Sequence, residues 1–216
     1  MAGEFGQRHI ICVFGSYSAE PAAPLYRHAY QIGQALARAG YIVANGGYDG
    51  TMEASARGAK DAGGLTIGVT CSAFNNARGR ILRANAYIDH EIHHEHLLRR
   101  IKDMMYMSSA YVVLEGGTGT LTELALVWEY VCKHLITPRP IFVFGDFWRP
   151  TVEGILKHRP KSGKYLHMVN SPEEIVRIAA GTIKGRPPWL TDSNSLARIQ
   201  LPDTPHDSRA EQSRGL

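Results

Sequence analysis

Three glycine-rich turns contain the residues of this chain whose types and spacing point most directly to chemistry. Each turn follows a short apolar run, and the residues that we assign to ligand binding are Gly15, Ser16, Gly46, Gly47, Gly116, Gly117, Thr118, Gly119 and Thr120. Glycine lets backbone N–H groups approach a ligand closely, and a helix that begins beyond such a turn offers unpaired N–H donors. These features predict a site for a phosphate group and the ribose attached to it.

The spacing of the glycines disfavours two common kinds of phosphate site. It matches neither the dinucleotide pattern G-x-G-x-x-G nor the P-loop pattern G-x-x-x-x-G-K-[ST], which disfavours an NAD site and a Walker-type ATPase. A single turn between a strand and a helix can need glycine for geometry alone. Because three such turns occur in one chain, we favour ligand binding over geometry.

A histidine-rich run offers a rival site. His90, Glu91 and His94 match H-E-x-x-H, in which two histidines on one face of a helix bind zinc and the glutamate acts as a base. The run lies where we predict a strand to end and a helix to begin, so the histidines need not share a helical face. We favour polar histidines at a solvated helix start, and a third interpretation places some of them beside a nucleotide pocket.

Three further features are weaker candidates. Cys71 ends a predicted strand, and no histidine at a suitable spacing pairs with it, so we interpret it as a packed thiol. The basic stretch from Lys157 to Lys164 lacks the interleaved aromatic residues of a nucleic-acid surface, which favours a solvated loop. No lysine lies in a recognisable Schiff-base context, so pyridoxal-phosphate chemistry finds no support.

The elements that must position these turns follow from the apolar pattern, since short apolar runs predict buried strands and helical spacing predicts helices. The predicted strands are residues 9–14, 41–44, 65–70, 86–89, 111–114, 141–144 and 166–169. The predicted helices are residues 25–39, 51–62, 94–107, 120–133 and 172–183, with another starting at 150–156 and loops at 72–85 and 157–164. This alternation indicates right-handed βαβ units, and therefore an α/β fold with a parallel sheet covered by helices on both faces.

The chain divides at about residue 184. Residues 1–184 fit one α/β domain, with too little chain left over for a second core. Apolar periodicity is lost after Ile183, and residues 185–216 are rich in Pro, Ser, Asp and Arg. We interpret this segment as a flexible or surface-draped polar tail.

Composition excludes several classes of protein. The 44% of hydrophobic residues can form a core, which excludes global disorder. No run approaches the roughly 18 apolar residues of a membrane span, and the N-terminus lacks the apolar stretch of a signal peptide. Three dispersed cysteines without a Cys-x-x-Cys pattern fit a reducing cytoplasm. The net charge of +4 does not by itself indicate nucleic-acid binding.

Four separated motifs, in the same order, make the chain resemble one family. Residues 116–123 resemble the PGGxGTxxE signature of the Lonely Guy (LOG) family, whose members are often mislabelled lysine decarboxylases. Residues 46–54 resemble its GGGxxGxMEA stretch, residues 13–16 resemble its first loop, and Arg100 matches its upstream arginine. The resemblance covers residues 9–145, and it implies a Rossmann-like, doubly wound domain that forms a homodimer or a larger homo-oligomer.

The resemblance also implies an activity and two catalytic residues. Such enzymes cleave the N-glycosidic bond of a nucleoside 5′-monophosphate, such as a cytokinin ribotide or AMP, to the free base and ribose 5-phosphate. Positive charge develops on the sugar as this bond breaks, and a carboxylate stabilises that charge. Glu123 would supply the carboxylate, and Arg100 would orient the substrate or keep Glu123 ionised. This chemistry requires no metal or redox cofactor.

Two positions depart from the family pattern. Glu115 stands where the family has proline, and Ile101 stands where it usually has lysine after its arginine. Both changes make the expected pocket less basic, and a carboxylate at the mouth of an anion site repels phosphate. They keep a second hypothesis open, in which the chain is a non-catalytic carrier of a nucleotide or a pterin nucleotide of the molybdenum-cofactor type.

The helix after the third glycine turn is apolar over more of its surface than one core stripe requires. Its apolar residues include Leu121, Leu124, Ala125, Val127, Trp128 and Val131. We therefore expect this helix to contribute to a subunit interface between copies of the chain. The expected partners are a small-molecule nucleotide and a second copy of the chain, in the cytoplasm, with neither nucleic acid nor membrane.

Overall fold

Seven strands form one parallel sheet in the computed structural model, which describes residues 5–78 and 81–191. The strands are β1 Ile10–Phe14, β2 Ile42–Asn45, β3 Thr66–Cys71, β4 His90–His94, β5 Ala110–Val113, β6 Ile141–Phe144 and β7 Leu166–Val169. They lie in the order β4-β3-β2-β1-β5-β6-β7, and every neighbouring pair is parallel. The predicted fold class, a Rossmann-like α/β domain with a doubly wound parallel sheet, is confirmed.

Helices connect the strands and cover both faces of the sheet. Their bounds are α1 Pro24–Arg38, α2 Thr51–Asp61, α3 Ala73–Arg78, α4 Leu97–Met107, α5 Thr118–Cys132, α6 Arg149–His158, α7 Pro172–Thr182 and α8 Pro188–Thr191. Helices α1, α2 and α7 pack on one face, whereas α4, α5, α6 and α8 pack on the other. Because the central strands are covered on both faces, all their residues are buried and apolar runs encode them. No helix within the described ranges has the length and apolar character that a membrane crossing requires.

The order of the strands reverses between β1 and β5, which are neighbours at the centre of the sheet. Ile11 lies opposite Ala110 in this pair, and Phe14 lies opposite Val113. The chain after β1 leads to α1 on one face, and the chain after β5 leads to α5 on the other. In open α/β sheets, ligands bind in the crevice that such a reversal opens beyond the carboxyl ends of the strands.

Close packing of α1 against α2 connects the first two glycine turns. A Cβ atom on Gly33 would overlap the backbone of Ser55, so glycine allows the two helix backbones to approach each other. At the start of α2, the backbone N–H and the hydroxyl of Thr51 both donate to the carbonyl oxygen of Ser16, at 2.9 and 3.1 Å. The loop after β1 is thereby fixed against the loop after β2.

The histidine-rich run forms strand β4, so the predicted strand at 86–89 is displaced by four residues. His90 and Ile92 are buried whereas Glu91 is exposed, which is the alternation of a strand. This alternation was hidden in the sequence because His90 is polar yet packs on Phe5, with ring centroids 4.9 Å apart. Helix α4 consequently begins at Leu97 rather than at His94.

The position of this run on a strand overturns two interpretations of its histidines. Four residues along a strand span about 13 Å, so one zinc ion cannot bind both His90 and His94, and the H-E-x-x-H interpretation is wrong. The favoured alternative, a solvated helix start, is wrong as well because His90 is buried in the sheet. Within the described ranges, no group of three His, Cys, Asp or Glu side chains is arranged to bind a metal.

Two predicted loops contain short helices. Residues 72–85 include α3, and residues 79–80 of that segment lie outside the described residues. In the basic stretch, α6 continues to His158 and a 3₁₀ helix follows at Pro160–Tyr165. Proline at the start of that 3₁₀ helix fits a first helical turn, where the missing N–H would have no partner.

Trp189 lies beyond the predicted domain boundary and packs into the core. Its side chain is only 1% exposed, its ring centroid lies 5.7 Å from that of Phe5, and its Nε1 donates to the carbonyl oxygen of Arg8 at 2.9 Å. The packed part of the chain therefore reaches Thr191 at the end of α8. The rest of the predicted tail, residues 192–216, lies outside the described residues.

Candidate active site

Arg100 and Glu123, which the sequence analysis paired, lie against each other in the structure. Arg100 is on α4 and Glu123 is on α5, and both helices pack on the same face of the sheet. The Nη1 atom of Arg100 lies 3.6 Å from Oε1 of Glu123. The two residues are 5% and 9% exposed, respectively, so this is a buried ion pair beside the carboxyl ends of the central strands.

Three groups fix the side chain of Arg100. Its Nε donates to the carbonyl oxygen of Val69 on β3 at 2.6 Å. The guanidinium carbon lies 5.9 Å from the ring centroid of Tyr48 and 5.5 Å from that of Phe74, within the range of cation–π contacts. A Cβ atom on Gly46 would overlap Nη2 of Arg100, so the position of the guanidinium depends on glycine at residue 46.

The second glycine turn is a buried support for Arg100. The N–H of Gly47, which has a φ of +80°, donates to Oδ1 of Asn45 at 2.8 Å. The hydroxyl of Tyr48 donates to the carbonyl oxygen of Cys71 at 2.9 Å and accepts from its N–H at 2.7 Å. The structure therefore places Gly46 against the guanidinium of Arg100 and Gly47 against Thr70 and Gly68 on β3, and both glycines are buried rather than at a ligand surface.

Burial changes the acidity of the groups around this ion pair. It raises the pKa of Glu123 from an ordinary value of 4.5 to about 7, and the positive charge of Arg100 limits the increase. Burial also raises the pKa of the Cys12 thiol on β1, and the nearby charge of Glu123 adds to this effect. At neutral pH, the ionised and the protonated form of Glu123 are therefore both populated.

A cleft of about 690 Å³ opens where the strand order reverses. Its walls come from the loop after β1, the start of α1, the third glycine turn and Phe147. The polar and glycine residues among its lining are Ser16, Ser18, Glu20, Glu115, Gly116 and Gly117. The first and third glycine turns are thus brought together at one cleft, whereas no residue of the second turn lines it.

Helix α5 begins at this cleft, and its first backbone N–H groups point out of the helix. Gly117 is its N-cap residue and provides no side-chain hydrogen bond, and the first N–H groups of a helix have no partner within it. A Cβ atom on Gly117 or Gly119 would contact nothing within 4 Å, and neither residue has a positive φ. Packing does not require glycine here, although glycine weakens a helix, so close approach of a ligand is the better explanation.

The other residues predicted at the phosphate site lie beside this helix start. Thr118 and Gly119 are exposed, whereas Thr120 is buried, and a Cβ atom on Gly116 would overlap its hydroxyl. Gly15 packs closely against the hydroxyl of Thr51 behind the cleft wall. Six residues along α5, about 9 Å, separate Gly117 from Glu123, a distance that a small nucleotide can span.

The two departures from the family pattern have different surroundings. Glu115 is exposed and lines the cleft, as its place before the glycine turn suggested. Ile101 is only 3% exposed, packs in the core with Met104 and Met105, and does not line the cleft. The expectation that Ile101 makes the pocket less basic stays a prediction.

Comparisons with known proteins identify a family and several similar proteins. Residues 8–176 match the family model described as the SLOG cluster4 family. A cytokinin riboside 5′-monophosphate phosphoribohydrolase of Mycobacterium tuberculosis is 33% identical over 174 residues, which cover 73% of this chain and 87% of that protein. An uncharacterized protein of Archaeoglobus fulgidus is 36% identical over 120 residues, 56% of this chain and 75% of that protein. The molybdenum cofactor binding protein of Rippkaea orientalis superposes with a TM-score of 0.66 and 26% identity, covering 83% of this chain and 99% of that one.

Proposed function

This chain belongs to the SLOG cluster4 family, and from this premise we propose that it is a phosphoribohydrolase that cleaves nucleoside 5′-monophosphates. The observation that carries the proposal is the buried ion pair of Arg100 and Glu123. Neither side chain lines the cleft, but Glu123 lies six residues along α5 from Gly117, which does. The similarity to a phosphoribohydrolase, which covers 87% of that relative, supports the same class of reaction. The substrates are an AMP-like nucleotide or a cytokinin ribotide.

The phosphate group binds at the start of α5. The exposed residues Thr118 and Gly119 present backbone N–H groups there, and the helix dipole favours a negative charge at this end. The hydroxyls of Ser16 and Ser18, whose oxygens lie 2.8 Å apart, add donors from the opposite wall of the cleft. The ribose then extends from the phosphate along α5 toward Glu123.

Glu123 acts on the sugar. As the bond between C1′ and the base nitrogen breaks, its electron pair leaves with the base, and positive charge develops on the ribose ring. The ionised carboxylate of Glu123 stabilises this charge, and a water oxygen then bonds to C1′. One proton of that water ends on the departing base and the hydroxyl remains on C1′, which gives the free base and ribose 5-phosphate.

Arg100 sets the ionisation of this carboxylate. Its guanidinium is held by the carbonyl oxygen of Val69 and by the rings of Tyr48 and Phe74, so its charge stays beside Glu123. Without that charge, burial would raise the pKa of Glu123 further and reduce the reactive ionised fraction at neutral pH.

A specific observation favours a second candidate, a protein that binds a nucleotide or pterin nucleotide without cleaving it. The charged side chains that line the cleft are Glu20 and Glu115, and neither would attract a phosphate. A solved structure at 26% identity is described as a molybdenum cofactor binding protein. A carrier of this kind would bind its ligand tightly and release it unchanged.

One experiment separates the two candidates. The protein is incubated with AMP and with other nucleoside 5′-monophosphates, and free base is measured by chromatography. We expect base release by the wild type, a loss of at least a hundredfold in Glu123→Ala, and little change in Glu129→Ala, an exposed glutamate on the same helix. Tight binding of a nucleotide or pterin nucleotide with no base release would instead support the carrier.

A further inference from the structure

The charged side chains that line the cleft are all negative among the described residues. Glu20 and Glu115 line it, and no lysine, arginine or histidine does so among the described residues. Neither glutamate forms an ion pair with any other described residue, and both are exposed. Arg100 does not compensate for them, because its charge is buried against Glu123.

The cleft nevertheless has the backbone features of an anion site. Gly117 and Gly119 leave the first turn of α5 open to a ligand although nothing in the packing requires glycine there. Backbone N–H groups and a helix dipole attract an anion by partial charges, which suffice for a weakly charged group. A full carboxylate charge at the same cleft opposes each negative charge that the ligand brings.

We propose that Glu115 is a specificity-determining residue that selects, at this site, a nucleotide whose phosphate carries a single negative charge. Two sources provide this chemistry, the monoanion of a 5′-phosphate and a phosphodiester of the same nucleotide. The proposal rests on the proposed function for the identity of the cleft as the phosphate site. It goes beyond that function by stating the charge of the group that the cleft accepts.

The repulsion between Glu115 and the ligand increases with the negative charge of the ligand, so the proposal predicts a different effect for each ligand charge. A carboxylate about 8 Å from the phosphate, at an effective dielectric constant between those of protein surface and water, weakens binding about fivefold per unit of ligand charge. Neutralising Glu115 should therefore leave an uncharged nucleoside unaffected. It should tighten binding of a singly charged ligand about fivefold and of a doubly charged ligand about twenty-five-fold.

The test uses three ligands that share one base and differ in charge: adenosine, the methyl phosphodiester of AMP, and AMP. Their dissociation constants are measured by calorimetry at about pH 7.5, where a phosphate monoester is almost fully dianionic. The proteins are Glu123→Gln, which removes the group assigned to cleavage, and the double variant that also carries Glu115→Gln. For each ligand, the dissociation constant of Glu123→Gln is divided by that of the double variant. We expect this ratio to be about one for adenosine, about five for the phosphodiester and about twenty-five for AMP.

A matched control keeps the result specific to the cleft. The control adds Glu153→Gln, in place of Glu115→Gln, to the Glu123→Gln protein. Glu153 is an exposed glutamate on α6 that does not line the cleft, so the same ratio of dissociation constants should be near one for all three ligands. Equal effects of Glu115→Gln on all three ligands would overturn the proposal, as would no effect on any of them. Base release by the wild type is measured separately, so its absence would refute the proposed reaction without deciding the charge selection.

Discussion

The carboxyl group of Glu123 offers the most direct test of the site, because its burial couples protonation to stability. The side chain is buried between α5 and the sheet, and Arg100 is the cation next to it at 3.6 Å. Replacing it by glutamine keeps the shape of the side chain and removes its ionisation. The variant Glu123→Gln therefore separates the effect of the negative charge from the effect of packing.

The free-energy cost of ionising Glu123 in the native state follows from the shift of its pKa. Folding raises the pKa of Glu123 from 4.5 to about 7, so the native state binds this proton more tightly than the unfolded chain does. The favourable contribution of the protonated form is present below about pH 4.5, decreases between pH 4.5 and 7, and is absent above pH 7. At 1.36 kcal/mol per unit, ionising this group costs the native state about 3 kcal/mol.

Urea unfolding monitored by tryptophan fluorescence at about pH 5 and pH 8 measures this cost. The free energy of unfolding of Glu123→Gln minus that of the wild type should increase by about 2 to 3 kcal/mol between these two conditions, since a small part of the effect is already lost at pH 5. Other titrating groups contribute equally to both proteins and cancel in the difference. A difference that is the same at both pH values would show that Glu123 keeps an ordinary pKa, and the electrostatic reasoning about the site would be refuted.

Three other substitutions test the structure around the site. Gly46→Ala should displace the guanidinium of Arg100 and lower base release about a hundredfold, whereas Gly181→Ala, at an open helical position, should leave it unchanged. Leu121→Glu, at an exposed position lining a second cleft of about 760 Å³, should shift the sedimentation of the protein from oligomer to monomer if α5 forms a subunit interface. Arg139→Met should lower the free energy of unfolding by about 3 kcal/mol, since it leaves buried carbonyl oxygens at the end of α4 without a donor, and urea titration measures this loss.

The sequence predicted the strands whose residues are apolar throughout. Six of the seven strands coincide with predicted runs to within one or two residues, because burial on both faces makes a strand apolar throughout. Strand β4 was misplaced because it lies at the edge of the sheet and alternates buried with exposed residues, among which histidine occurs on both faces. Trp189 was assigned to the tail because a single buried residue in a polar segment leaves no periodic signal.

The sequence predicted those residues of the candidate site that belong to a motif, and it missed those that reach the site only through tertiary packing. Arg100 and Glu123 were paired from a motif, and the structure brings them to 3.6 Å. The rings of Tyr48 and Phe74 were missed, because their contact with the guanidinium joins segments that are remote in sequence. The glycine turns looked alike in sequence, yet Gly46 makes room for a side chain whereas Gly117 leaves a backbone open.

The buried carboxyl group of Glu123 leads to a last prediction about pH. Base release requires ionised Glu123, so kcat/KM for a phosphodiester substrate, whose charge does not change with pH, should increase about tenfold per pH unit below 7 and become constant above it. A bound phosphate adds negative charge near this carboxylate and excludes water from it, and both effects raise the pKa further. The pH midpoint of kcat should therefore lie above that of kcat/KM, by an amount that is smaller for a phosphodiester than for AMP. Coincident midpoints for both substrates would mean that the phosphate binds too far from Glu123 for the assigned site to be correct.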